Sequence, residues 1–347
     1  MVGNVSSNDV GIVPIDPMND GLVRSWVDTQ IAAVRHDIDG FPRPSPALQR
    51  LRLLLPLSSY RVERWAAVAD GTVVGHLGIQ MPAKDNLHMA EADLEVHPDW
   101  RRRGVGTRLL ELLEERAAVN GRDTVISYAV DEIFDRPGTD TPGKHFAEKH
   151  GYAVADTEIC RRNDLTKVDD DDLARRFAEA WERAGGYELV EWTVRTPEEL
   201  VDGVARMEAR MWTDPPMGEL DIRPAVYDAE RIRAEEQSLA DRGQLTVAAA
   251  VRRVDSGEVA GYTAINVDPG EEEFAWQDDT IVDPAHRGRR LGTILKIANQ
   301  RQLRRYRPMI RYVVTWNAEV NSHMIDINEA VGYRRFFREL VFQKKLA

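Results

Sequence analysis

Val96-His97-Pro98-Asp99-Trp100-Arg101-Arg102-Arg103-Gly104-Val105-Gly106 recurs 186 positions later as Val282-Asp283-Pro284-Ala285-His286-Arg287-Gly288-Arg289-Arg290-Leu291-Gly292. Upstream, Gly71, Val73, Gly75 and Ile79 match Gly257, Val259, Gly261 and Ile265 at the same offset. A hairpin and a loop held in one register over that distance mark a duplicated domain, not a solenoid turn. In each copy a strand ends at Val-x-Pro, an arginine-rich turn follows, and glycine stands at the opening of an amphipathic helix. The first N–H groups of a helix lack intrahelical acceptors and its dipole adds positive potential, so such a loop is an anion site. Glycine lets the backbone approach a pyrophosphate, and arginine adds full charge. The candidate anion-binding residues are Arg101, Arg102, Arg103, Gly104, Val105, Gly106 and Thr107, with Arg287, Gly288, Arg289, Arg290, Leu291 and Gly292 in the second copy. No Gly-Lys-Ser/Thr follows, so this is not a Walker loop, and Gly-x-Gly-x-x-Gly is absent.

Around the loops, each copy reads as the same order of elements. In the first, Arg61 to Ala69 and Thr72 to Gln80 flank Asp70-Gly71 as a hairpin, and His88 to Val96 is a third strand. Val105, Leu109, Leu112, Leu113 and Ala117 then recur at helical spacing until Gly121. A strand from Thr124 to Val130 and a short helix from Gly143 to His150 lead to Gly151-Tyr152. The second copy repeats this with strands near Leu245 to Val254, Glu258 to Val267 and Glu273 to Val282, and a helix from Arg290 to about Arg305. A strand from Arg311 to Trp316 and a helix from Val320 to Val331 follow, then Gly332-Tyr333 and a terminal strand. Between the copies, Asp169-Asp170-Asp171-Asp172 precedes Leu173, Phe177, Ala180 and Trp181, and Gly185-Gly186 closes the run. Acidic residues suit a helix start and glycine its exit, which reads as a connecting helix; a solvated tether is the alternative for the aspartates. The expected division is 1–166, a linker helix over 167–186, and 187–347.

At 347 residues the chain is long enough for two domains, and 43% hydrophobic with 30% charged residues describes a soluble globular protein. No apolar run approaches the roughly 20 residues that span a bilayer, and no basic stretch precedes an apolar core at the start, so a cytoplasmic protein is expected. A net charge of −12 argues against nucleic acid or a membrane as partner. The single cysteine, Cys160, excludes an internal disulfide, and His145 and His150 lack a third ligand, so no metal is expected. Cys160, Trp181, Trp192 and Trp212 read as packing residues. So do Trp276 and Trp316, although they fall near the second loop's cleft.

Val96-x-Pro98-x-x-Arg101-x-x-Gly104-x-Gly106, with the helix, strand, short helix and Gly151-Tyr152 that follow, resembles the GNAT superfamily of acyl-CoA-dependent N-acetyltransferases. Asp279-Thr280, His286-Arg287-Gly288, Thr315-Trp316-Asn317 and Asn321-x-x-Met324 through Gly332-Tyr333 resemble the tandem GNAT proteins common in actinobacteria. The resemblance covers nearly the whole chain. It implies an α/β fold with a mixed, splayed sheet in each of two tandem domains, and acetyl-CoA seated in the splay with its pyrophosphate on the loop. The first loop fits the family pattern completely; in the second, Arg290 stands where the first glycine belongs. Asn321 matches the asparagine that lies near the pantetheine arm, with Asn317 close by, whereas the first copy has Asp140 in that stretch.

The resemblance further implies an oxyanion donor from backbone N–H groups of the strand before the loop, Leu94 to Val96 or Thr280 to Val282. General bases commonly come from that strand: Glu91, Asp93 and Glu95 in the first copy, Asp278 and Asp279 in the second. These carboxylates equally suit a cationic substrate, or simply face solvent. The family's frequent general acid is a tyrosine four residues before the Gly-aromatic pair, where this chain has Ala147 and Asn328. The function expected is acetyl transfer from acetyl-CoA to a primary amine of a small molecule, the acidic residues favouring a cationic one, by direct, base-assisted attack, with the catalytic half open. A non-catalytic acyl-CoA-binding sensor or scaffold, and a protein N-acetyltransferase, are the alternatives. Oligomeric state cannot be read from the sequence.

Overall fold

The computed structural model describes residues 10–138 and 141–346, and these form two compact units. One holds the described residues up to Asp156, with Glu219–Asp221 and the described residues from Glu339 onward; the other holds Thr157–Gly218 and Ile222–Arg338. The units therefore do not follow the linear division 1–166 and 187–347.

The first unit is built from β1 (Gly11–Pro14), α1 (Asp20–Asp37), α2 (Pro46–Leu54), β2 (Tyr60–Ala69), β3 (Thr72–Pro82), β4 (Met89–Val96), α3 (Val105–Val119), β5 (Thr124–Ile133) and α4 (Pro142–Lys149). Asn19 and Ser45 cap α1 and α2, accepting from the N–H groups of Leu22 and Leu48. Asp70 and Gly71 both take positive φ, 49° and 77°, the geometry of a two-residue hairpin turn. The strand order is β1-β2-β3-β4-β5, then β12 (Tyr333–Lys345), whose residues from Glu339 belong to this unit. Leu77 and Ile79 of β3 pack under Val105, Leu109, Leu113 and Ala117 of α3, while Val23 and Trp26 of α1 pack on Ala66 and Val73. Helices thus cover both faces. β4 and β5 are parallel and pair only over Met89–Ala92 with Thr124–Ser127. Beyond that β4 runs on beside β3 alone, which opens the splay.

The second unit takes most of β6 (Ala153–Asp164), then α5 (Asp170–Trp181), β7 (Tyr187–Thr193), α6 (Val201–Met211), α7 (Ala229–Asp241), β8 (Leu245–Arg253), β9 (Val259–Val267), β10 (Phe274–Val282), α8 (Leu291–Tyr306), β11 (Tyr312–Ala318), α9 (Ser322–Ala330) and the start of β12. Its strand order is β12-β6-β11-β10-β9-β8-β7. β6 pairs antiparallel with β11, from Glu158 against Ala318 to Asp164 against Tyr312. Each unit is therefore completed by a strand that a linear reading gives to the other half. β10 and β11 pair only over Phe274–Trp276 with Tyr312–Val314, so this sheet splays at the matching place. The connecting helix forms as α5, with the Asp169 carboxylate accepting from the N–H groups of Asp171 and Asp172. Cys160 is fully buried in β6.

Candidate active site

Both arginine-glycine loops adopt one backbone shape. Left-handed residues stand at Arg102 and Gly104 in the first (φ 62° and 82°) and at Gly288 and Arg290 in the second (80° and 56°). Each loop thus uses one glycine and one arginine, in opposite order. The arginine at a left-handed position costs roughly 1–2 kcal/mol, which the loop geometry absorbs without losing the shape. Arg290 therefore does not displace the second helix start. Thr293 and Ile294 donate the first backbone bonds of α8 to the Arg290 carbonyl, so the N–H groups of Leu291 and Gly292 have no acceptor within the helix.

Not all the arginines reach a ligand position. Arg101 holds Asp37 with two bonds of 2.8 and 2.6 Å and donates its Nε to the Val96 carbonyl at 3.1 Å. Arg287 repeats this with Asp214 at 3.1 Å and the Val282 carbonyl at 3.1 Å. These two brace the loop. Arg103 lies over the Trp100 ring at 5.1 Å, and Arg289 lies 5.8 Å from the Tyr187 ring.

Two adjoining cavities open at the second loop. One, of about 460 Å³, is lined by Arg176, Arg183, Arg287, Gly288, Asp326 and the run from Arg290 to Thr293, among others. The other, of about 130 Å³, runs past Thr280, Ile281 and Val282 to Met211, Pro215, Pro216, Asn321 and Met324. Val282, Arg287, Gly292, His323 and Ile327 line both, so a cationic end leads into an apolar one. Asn321 also caps α9, its side-chain oxygen accepting from Met324 N–H at 3.2 Å. Asn317 lies elsewhere: it is buried, and its Oδ1 accepts from Arg161 at 3.1 Å and Asn328 at 3.3 Å, so its amide is spent inside the fold. Trp276 and Trp316 stack on each other, ring centroids 6.0 Å apart.

Just before Thr280, β10 carries one extra residue. Gln277 pairs with Ile265 and Thr280 with Thr263, so Asp278 and Asp279 together oppose Ala264. Such a bulge re-aims side chains that would otherwise alternate between faces. Gln277 secures it, its Nε2 donating to the Ala264 carbonyl at 2.6 Å and Thr263 Oγ1 at 3.1 Å, while Thr263 Oγ1 donates to the Asp279 carbonyl at 3.1 Å. Asp278 and Asp279 now act on one another and on Glu208 of α6 and Glu235 of α7. Desolvation by the protein packed around it, then repulsion from Asp279, pushes Asp278 up to about 7, although its side chain still reaches solvent and the Asn266 amide donates to it at 2.9 Å. Glu208 is raised well above the carboxylate range by burial and by Asp279, with which it shares a hydrogen bond. Asp279 is raised too, by burial, against the hydrogen bond from Glu208 that favours its charged form. The Tyr262 hydroxyl is pushed up by burial and by these acids, which places it beside them.

The first unit differs at each corresponding point. Its β3–β4 register runs unbroken from Gly75 against Val96 to Gln80 against Glu91, without a bulge. Asp93, which matches Asp279 in the repeat, lies 3.8 Å from Arg64 and 3.9 Å from His76. Burial alone would raise Asp93; Arg64 and His76 outweigh it and hold the carboxyl below its usual range. Glu95 pairs with the buried His76 at 3.0 Å. Gly78 makes room for this arrangement, since a Cβ there would fall 2.0 Å from Asp93 Oδ1. Glu91 is raised by burial, against a hydrogen bond from Tyr128. Leu94 and Val96 pack against the core. Asp140 lies outside the described residues.

The acetyltransferase (GNAT) family matches the chain twice, over residues 31–152 and 206–332. The chain belongs to the GNAT family. It is similar, at 29% identity, to a mycothiol acetyltransferase of Amycolatopsis mediterranei, over 86% of this chain and 92% of that protein. Among solved structures, a tandem GNAT protein from the clavulanic acid biosynthesis pathway superposes with a TM-score of 0.80 at 27% identity, covering 97% of this chain and 98% of that one. A GCN5-related N-acetyltransferase from Sphaerobacter thermophilus shares the fold, with a TM-score of 0.64 at 17% identity over 98% of this chain and 97% of the other. The chain is thus a tandem GNAT acetyltransferase with a mixed α/β sheet architecture.

GNAT enzymes use acetyl-CoA, and the second unit fits it. Free helix N–H groups and arginines line one end, an apolar passage the other, and a Cβ at Gly292 would press on Ile327 Cδ1 at 3.0 Å. Among the described residues no cluster of His, Cys, Asp or Glu would hold a metal ion. Of the expected site residues, the structure brings Thr280 to Val282, Arg287, Gly288, Arg290 to Gly292 and Asn321 to one cleft, with Asp278 and Asp279 on the strand that enters it. Asn317 and Arg289 stand apart from its lining. Sequence reasoning missed Glu208, Glu235, Asn266, Gln277 and His323. The first two come from helices with no motif, while the last stands two residues past Asn321.

Proposed function

We propose that the chain moves an acetyl group from acetyl-CoA to the primary amine of a small cationic molecule, and that the second unit does the chemistry. The observation that carries this is the bulge at Asp278-Asp279, which brings these two carboxylates together with Glu208 and Glu235 immediately before Thr280, Ile281 and Val282 of the same strand line the cleft. Leu291 and Gly292 N–H groups with Arg290 hold the pyrophosphate, and Thr280 to Val282, Asn321 and Met324 line the pantetheine arm's course. Glu208, Asp278, Asp279 and Glu235 receive the acceptor as an ammonium ion. Asp278, poised near neutrality, takes the proton from that ammonium. The freed nitrogen attacks the thioester carbonyl, the C–S bond breaks, and the sulfur departs as thiolate, which a thiol of pKa ~8.5 permits; the attacking nitrogen then gives up its second proton through solvent to that thiolate, leaving the neutral amide and the free thiol. No tyrosine is needed: Asn328, at the family's usual position, is fully buried.

The mycothiol in the name of the 29% identical relative supports a small-molecule acceptor rather than a protein. For the first unit the non-catalytic reading is favoured, since Asp93 and Glu95 are already paired with Arg64 and His76. No helix among the described residues is long and apolar enough to cross a membrane; a cytoplasmic site of action without membrane or nucleic acid partners is part of the proposal and rests on the net charge of −12.

Calorimetric titration with acetyl-CoA, together with thiol release measured over a panel of di- and polyamines, tests this reading. Gly292→Glu should abolish binding at the productive site, and Asp279→Asn should cut turnover at least tenfold with acetyl-CoA affinity kept. Activity that survives Gly292→Glu but is lost in Gly104→Glu would move the chemistry to the first unit.

A further inference from the structure

The cleft's cationic end has a wall that neither copy of the repeat supplies. Arg176 and Arg183 line the cavity of about 460 Å³ from α5 and the turn after it, the segment between the duplicated domains. Seven residues apart, they share one side of the helix, while Leu173, Phe177, Ala180 and Trp181 anchor it against the hydrophobic core. Arg287 is committed to Asp214, and Arg290 lies 3.6 Å from Glu179. Arg176 engages Asp172 through its Nε at 2.6 Å, which leaves its terminal nitrogens uncommitted. Among the described residues, none forms an ion pair with Arg183. Four arginines against the single Asp326 of the lining exceed what a diphosphate facing a helix N-terminus requires.

We infer that α5 supplies a second phosphate subsite, in which Arg183, assisted by Arg176, binds a phosphate monoester distinct from the diphosphate: the 3′-phosphate of coenzyme A. A monoester carries about −1.5 to −2 charges at neutral pH and offers three acceptor oxygens, which suits a planar guanidinium. The inference rests on the placement of acetyl-CoA in the second unit and adds that this site discriminates coenzyme A from its 3′-dephospho form. The two arginines carry no motif of the family and belong to neither repeat, so the discrimination is a property of the connecting segment.

The test is calorimetric titration of the full chain with acetyl-CoA and with acetyl-3′-dephospho-CoA, at low and high salt, for the native protein, Arg183→Gln and Arg176→Gln/Arg183→Gln. Both side chains lie at the surface, and thermal midpoints confirm that the variants fold. The native protein should prefer acetyl-CoA by about tenfold or more. Arg183→Gln should lose about tenfold for acetyl-CoA and less than twofold for the dephospho form, and the double variant should erase the preference. Equal losses for both nucleotides, or no preference in the native protein, would overturn the subsite while leaving the acetyl-CoA site in place. Binding of neither nucleotide at a site that Gly292→Glu removes would instead overturn the placement of acetyl-CoA, and the subsite with it.

Discussion

Arg101→Ala should cost stability in the first unit and leave acetyl-CoA affinity unchanged. The guanidinium makes a two-pronged pair with Asp37 at 2.8 and 2.6 Å, with side chains 20% and 33% exposed. It also ties the Val96 carbonyl, and so fixes the strand end from which the loop departs. Charge-assisted bonds of this kind are worth roughly 1.5–3 kcal/mol each when shielded. Partial exposure reduces that, so the loss should be about 2–3 kcal/mol. For a unit of this size each kcal/mol shifts the melting midpoint by about 2–4 °C, giving a fall of about 5–10 °C. Asp37 sets the pH dependence. Burial opposes its charge, but Arg101 and His36 together hold its pKa below 3.8, so its contribution is present above that pH and fades as pH falls through the lowered value. The variant and the native protein should therefore converge in acid. Differential scanning calorimetry at pH 7 and pH 3, with acetyl-CoA titration alongside, reads all of this. Asp37→Asn should match the loss, and the double variant should cost little more than either. An unchanged midpoint with a tenfold weaker titration would refute the reasoning and return Arg101 to the ligand.

The raised carboxylates give the second unit its own pH signature. Turnover should climb up to tenfold per pH unit toward a plateau above about 7, and Asp278→Asn should flatten that limb. Because folding raises this pKa, the stabilisation is full below 3.8 and disappears as pH rises through about 7, so the second unit's midpoint should fall between about pH 4 and 7 and level off above that, and less so in Asp278→Asn. Gln277→Leu removes the amide that satisfies the Ala264 carbonyl inside the bulge; it should cost about 1–3 kcal/mol in urea unfolding and lower kcat at least tenfold with acetyl-CoA affinity intact. A variant as active as the native protein would show that the bulge holds itself.

The duplication, the hairpins and the loop shape were legible because each is written in residues close together: Asp70-Gly71, the Val-x-Pro strand ends, and the helical spacing of Val105 to Ala117. The bulge was not. It is a register difference between β9 and β10, and Asp278-Asp279 reads as ordinary alternation until Ile265 and Thr263 are placed opposite. Nor could sequence show that Arg101 and Arg287 face carboxylates 64 and 73 residues away, and so brace the loop. Glu208 and Glu235 enter the site through helix packing, which selects residues by position and leaves no local pattern. The arginine at 290, where the family pattern has its first glycine, is matched by a left-handed Arg102 in the first loop; only backbone angles reveal that the two loops share one shape.

The traded strands have a consequence during synthesis. The first unit's sheet needs the stretch from Glu339, which leaves the ribosome only after the helices and strands of the second unit. Until then β5 waits with an open edge, a template for pairing with neighbouring nascent chains. β6, at the other end of the exchange, emerges early and waits for β11. Neither half is a module that can be cut out, shuffled or expressed alone with its sheet complete. A duplication that began as two separable domains has become a unit of inheritance as well as of folding.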